Sequence, residues 1–165
     1  MSIRAECERD MIDERDPKRR EQVETISFVV YGEPVTQGSK RAWVIPGKNG
    51  KKPRAIITED SGRTRPWRQE VSKTAIDAVE REKFTLMPRG KAVSVACHFY
   101  FARPKSLKKS VLHKMTKPDV DKLARLILDS LTGIVYEDDS QVVSLSLLKD
   151  FAPRPHAQIS VVALS

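Results

Sequence analysis

Residues 21–165 predict a single α+β domain of about four to six strands and two main helices, preceded by a charged tail over residues 1–20. Three observations carry that reading. Apolar and polar residues alternate with a period of two over residues 25–31 and 91–102, and apolar residues recur at helical spacing over 66–83 and 120–131. The chain has 165 residues with 39% apolar content, enough for one domain to bury its own core without disulfides or a structural metal.

The first 20 residues hold six basic and six acidic side chains and end in Asp16-Pro17-Lys18-Arg19-Arg20. They lack a clear apolar stripe, so they read as a tail or a loosely docked helix outside the core. From Thr25 to Tyr31, Ile26, Phe28 and Val30 alternate with Thr25 and Ser27, the pattern of a half-buried strand, which Gly32 and Pro34 end. Residues 37–53 are rich in Gly, Lys and Pro and read as a long loop or irregular hairpin, with Trp43, Val44 and Ile45 as its apolar cluster. Such length is uncommon unless a loop is functional or disordered. The first core helix is predicted over 66–83, with Pro66 suited to a first turn and Val71, Ala75, Ala78 and Val79 on one face. Residues 91–102 are the clearest strand, with Val93, Val95, Cys97, Phe99 and Phe101 on one side. The second helix spans 120–131 and is stopped by Thr132-Gly133. Ile134-Val135-Tyr136 reads as a short extended piece. Residues 142–149 and 157–163 alternate as two final strands joined by a Pro-rich loop.

No apolar run approaches the roughly 18 residues that span a bilayer, and the N-terminus is charged where a signal peptide would be apolar, which predicts a soluble cytoplasmic protein and no membrane partner. Cys7 and Cys97 stand far apart without metal-ligand spacing, so neither a disulfide framework nor a zinc site is encoded, and Cys97 reads as core filling. His98 and His113 lack partners at ligand spacing and read as structural or surface residues. Thirty Lys and Arg against 22 Asp and Glu give a net charge of +8, all of it in residues 21–165 because the tail is balanced. Residues 34–58 (Lys40, Arg41, Lys48, Lys51, Lys52, Arg54) and 102–118 (Arg103, Lys105, Lys108, Lys109, Lys114, Lys117) contain no acidic residue at all. Two unopposed basic segments suit a polyanion partner, and they equally suit solvated lysine-rich loops.

Carboxylates concentrate between Lys117-Pro118-Asp119-Val120-Asp121 and Glu137-Asp138-Asp139. Two aspartates separated by one residue point about 200° apart inside a helix. Pro118 favours an extended Lys117, however, so Asp119 can sit at the cap, where its carboxylate is able to turn toward Asp121. Arg125 and Asp129 follow Asp121 along one polar stripe. The helix from Asp121 to Leu131 advances only ~15 Å, and the steps from Leu131 to Asp139 can span ~26 Å, so Asp139 has enough chain to return. Two or three aspartates offer hard oxygen ligands to Mg²⁺ or Mn²⁺. Piece by piece, the same residues also read as a helix cap, a turn before a strand, and a solvated Arg125–Asp129 pair.

The run KPDVDKLARLILDSLTGIVYEDDSQVV resembles the hallmark of the RusA family of Holliday-junction resolvases, approximately Pro-Asp-x-Asp-Asn, then Lys, Leu-Asp-x-Leu-x-Gly and Asp-Asp-x-Gln. Gly32-Glu33-Pro34 and Gly38-Ser39-Lys40-Arg41 are similar to the family's first strand and basic loop. The resemblance implies a small α+β domain with a mixed sheet. It implies a Mg²⁺-dependent (or Mn²⁺-dependent) crossover junction endonuclease, acting as a homodimer on branched DNA in recombination and repair. By position it makes Asp119, Asp121 and Asp139 the catalytic, metal-binding carboxylates, with Asp138 adjacent as a helper. Lys117, Lys122 and Arg125 would then lie where they neutralise phosphate, while Lys40, Arg41, Lys108 and Lys109 would hold the DNA arms. The chain departs from the pattern at Lys122, where the family has Asn, and at Arg125, where it has Lys. An arginine supplies charge there and no transferable proton. Trp43 reads either as a base-stacking side chain or as core. A non-catalytic DNA-binding module and a flap nuclease are the alternative functions of the same surface.

Overall fold

The computed structural model describes residues 24–37, 40–45, 54–59 and 62–164, with the two middle segments described by their backbone. Strand β1 (Thr25–Tyr31) is followed by a hairpin of β2 (Lys40–Ile45) and β3 (Arg54–Glu59), helix α1 (Thr64–Glu82), strand β4 (Ala92–Ala102) and helix α2 (Val120–Leu131). A 3-10 turn (Asp139–Gln141) then leads into β5 (Val142–Ala152) and β6 (His156–Leu164). The main sheet has the order β1-β6-β4-β5, and β2 pairs with β3 in a separate two-stranded sheet. The sheet is mixed: β6 lies antiparallel to both β1 and β4, while β5 runs parallel to β4. The fold is therefore the expected α+β domain with a four-stranded mixed sheet and two helices.

Alternation along the strands decides which face is covered. Ile26, Phe28 and Val30 of β1, Val95, Cys97 and Phe99 of β4, and Ile159 and Val161 of β6 all point to one side and are buried. Trp67, Val71, Ala75 and Ala78 of α1, with Leu123, Leu126, Ile127 and Leu131 of α2, close over them in one cluster. Each large side chain so buried contributes about 1.5–3 kcal/mol of transfer free energy. Cys97 is 2% exposed, and burial pushes its thiol up to about 12, as expected of core filling.

Helix α1 begins two residues before the expected Pro66 and stops at Lys83, which adopts a left-handed conformation (φ 53°). Helix α2 has the predicted bounds. Residues 134–136 form a tight turn where an extended piece was expected. Gly133 (φ 77°) donates its amide to Tyr136 O (2.7 Å), and Tyr136 makes single bridges to Met87 and Thr132. The 37–53 region does contribute a strand, β2, but its partner β3 lies beyond the expected loop. The two last strands run longer than predicted and are not neighbours, because β4 lies between them in the order β6-β4-β5. The tail and Cys7 lie outside the described residues.

Candidate active site

The parallel pairing of β4 and β5 requires a crossover, and that crossover is the basic loop followed by α2. Asp119 is the N-cap of α2, with extended backbone (φ −72°, ψ 138°), yet its side chain makes no capping hydrogen bond. Its carboxylate is half-exposed and meets Lys122 Nζ at 3.2 Å. Asp121 stands exposed in the first turn, where its charge complements the helix dipole. Neither aspartate is therefore taken up in closing the helix end.

Arg125 follows Asp121 one turn later, exposed and without an ion pair among the described residues. The expected alternative pairing of Arg125 with Asp129 does not form. Asp129 instead accepts from Arg68 of α1 at 3.0 Å, in a partly buried bridge that joins the two helices.

The second group of carboxylates is held by the 3-10 turn, which packs against α2. Asp138 caps the turn by accepting from the Ser140 amide at 3.0 Å, and Gln141 accepts the Asp138 amide at 2.9 Å, a reciprocal capping box. Hydrogen bonds from Ser140, and more weakly the Arg89 guanidinium, hold the Asp138 carboxyl below the usual range. Gln141 is buried, and its amide nitrogen donates to Pro88 O (2.9 Å) and Lys91 O (3.1 Å). Only a neutral amide has both the donors and the acceptor this position uses. Asp138 and Gln141 thus stabilise the turn, and Asp139 is left exposed on it. Its charge reaches α2: burial first, then Asp139, raise the Tyr136 phenol well above its ordinary value, and that phenol donates to Leu128 O at 3.0 Å.

Among the described residues of one chain, no three His, Cys, Asp or Glu side chains lie close enough together to hold a metal ion. Asp119, Asp121 and Asp139 are thus not gathered into a three-ligand cluster within this chain; each is nonetheless a solvent-accessible hard oxygen donor of the kind a divalent cation takes, and none accepts a backbone hydrogen bond among the described residues.

The basic loop runs along the edge of β5. Lys108, Lys109 and Lys117 are exposed on it, while Lys114 lies over the Phe101 ring at 4.9 Å. Lys40, Arg41 and Trp43 belong to β2, and their side chains lie outside the described residues. Two groups were missed in the sequence. His98 Nε2 and His113 Nδ1 both meet Asp150, at 2.9 and 2.6 Å, and Lys149 Nζ donates to Thr116 O and Pro118 O. The hydrogen bond from His113 is the main reason the Asp150 carboxyl titrates low. Their partners are 31 to 52 residues away in sequence, so spacing gave no signal.

Residues 32–162 match the family described as Endodeoxyribonuclease RusA. The chain is also 31% identical over 153 residues to an uncharacterized Bacillus subtilis protein, YqaN, an alignment covering 87% of this chain and 99% of the relative. No described helix is long and apolar enough to cross a membrane. A match over most of the chain, including both acidic segments and the basic loop between the strands, places this protein in the RusA endodeoxyribonuclease family.

Proposed function

We propose that the protein is a divalent-metal-dependent endonuclease that resolves four-way DNA junctions, with Asp119, Asp121 and Asp139 as its functional carboxylates. The observation that carries this reading is the entrance of α2. In a chain of an endodeoxyribonuclease family, two accessible aspartates stand there without a capping role, directly after a loop of unopposed lysines. Mg²⁺ or Mn²⁺ held by these carboxylates would supply Lewis acidity at the scissile phosphate and a more acidic water.

The chain's own residues do the remaining work. Arg125 projects its guanidinium toward the non-bridging oxygens, and Lys117 and Lys122 add positive charge at the helix entrance. Lys122 also holds the Asp119 carboxylate in place until a stronger cation competes for it. Lys40, Arg41, Lys108 and Lys109 contact the phosphates of the DNA arms. Hydrolysis leaves a 5′-phosphate and a 3′-hydroxyl, and a two-fold homodimer presents two equivalent sites to a nearly two-fold junction, as recombination and repair require.

The test compares cleavage of a mobile four-way junction with that of linear duplex in Mg²⁺, for the parent and for Asp121→Asn. The parent should cut the junction preferentially. Asp121→Asn should lose cleavage while keeping junction affinity in Ca²⁺, because a ligand charge is removed at nearly constant volume. Near-parental cutting by this variant would remove Asp121 from the site.

A further inference from the structure

Lys149 occupies an unusual place for a lysine. It pairs with Phe99 across the parallel β4–β5 ladder and shares the helix-covered face with Leu147 and Phe151, which pack against the core. Alternation calls for an apolar residue there. Its ammonium has no carboxylate partner among the described residues, and donates instead to Pro118 O at 2.7 Å and Thr116 O at 2.8 Å. These carbonyls belong to the segment that runs directly into Asp119.

That segment is poorly equipped to hold itself. Pro118 has no amide hydrogen, and no sheet ladder reaches Thr116–Pro118, so a donor from another element is what ties its carbonyls to the fold. Lys149 brings that donor, and two nearby contacts hold the chain just upstream: Lys114 N donates to Lys149 O at 3.3 Å, and His113 meets Asp150. The position of Lys149 is itself secure, because strand pairing fixes its backbone.

We propose that Lys149 is a positioning residue, whose ammonium fixes the Thr116–Pro118 turn and so sets the direction in which Asp119 and Asp121 are presented. The inference rests on the reading of those two aspartates as metal ligands. Residues that orient ligands without touching the metal typically matter by about 10- to 100-fold in affinity or rate.

Lys149→Met keeps the apolar stem and removes the donors, and Lys149→Arg keeps donors. Three measurements separate the outcomes: amide hydrogen exchange over residues 116–121, Mn²⁺ binding without DNA, and single-turnover junction cleavage. For Lys149→Met, exchange should accelerate in that segment while β4 and β6 stay protected. Mn²⁺ affinity and cleavage should fall about 10-fold or more, and Lys149→Arg should recover most of both. Parental exchange and Mn²⁺ affinity in the Met variant would overturn the proposal. So would faster exchange throughout the sheet, which would reduce Lys149 to a stabilising residue. If the parent neither binds Mn²⁺ nor cuts, the metal-site reading fails, whereas exchange in 116–121 still decides whether Lys149 holds the turn.

Discussion

Arg125 stands at one of the two positions where this chain departs from the family pattern, and its surroundings narrow what it does. With Asp129 bound to Arg68, the guanidinium of Arg125 is left to solvent one turn beyond Asp121. A charge kept accessible beside carboxylates suits a phosphate that arrives from outside. Arg125→Ala should therefore slow single-turnover junction cleavage by roughly 100-fold, the usual cost of losing a preorganised charge contact, and Arg125→Lys should retain much of the rate. An Ala variant with an unchanged cleavage step would remove Arg125 from the reaction. The candidate carboxylates were picked out in the sequence by the motif they share with the family, since spacing alone left a helix cap and a turn as equal readings. The occupations of Asp129 and Asp138 were not legible there, since the first depends on Arg68 in another helix and the second on how the turn folds around Gln141.

At the scale of elements, β5 is the edge strand that holds the basic loop, and Asp150 is one of its titratable contacts, beside Lys149. In the folded chain the Asp150 carboxyl is lowered from 3.8, chiefly by the hydrogen bond from His113 and then by that from His98, with burial opposing. A carboxyl depressed on folding stabilises the folded state fully above its ordinary value, and this contribution fades as pH falls through the lowered one. The parent should thus lose thermal stability more steeply than Asp150→Asn as pH falls below about 4. Equal slopes for the two proteins over that range would show that the His113–Asp150 contact is not linked to folding. Elements with strong periodicity were readable, α2 to the residue, because burial on one face imposes the pattern. Strand β3 was not, since Ala55, Ile56 and Ile57 are consecutive and no alternation marks them. The β4–β5 pairing was hidden as well, because periodicity says nothing of a strand's neighbours.

The whole molecule combines a net charge of +8 with a basic crossover loop set against one sheet edge. Junction affinity should fall steeply with salt, by a slope of roughly −0.9 per neutralised phosphate on duplex arms. The double variant Lys108→Ala, Lys109→Ala should flatten that slope by one to two phosphate equivalents, measured by titrating binding in Ca²⁺ across salt concentrations. An unchanged slope would place the DNA on another surface. Composition revealed the charge and the order of residues put the basic loop before α2, whereas its place along the β5 edge depended on the crossover, a property of the sheet order.

That order has a consequence for biosynthesis. Strand β6, the last of the described strands in sequence, is an interior strand, flanked by β1 and β4. While the chain is being made, β1 and β4 emerge with no partner between them, and the sheet cannot close until residues up to 164 have been added. Until then β1 and β4 expose unpaired edges, and the β4–α2–β5 unit lacks the strand that ties it to β1. The surface that carries Asp119, Asp121 and Asp139 thus gains its sheet connection to β1 only once β6 has been added, as a late event in the folding of the described sheet.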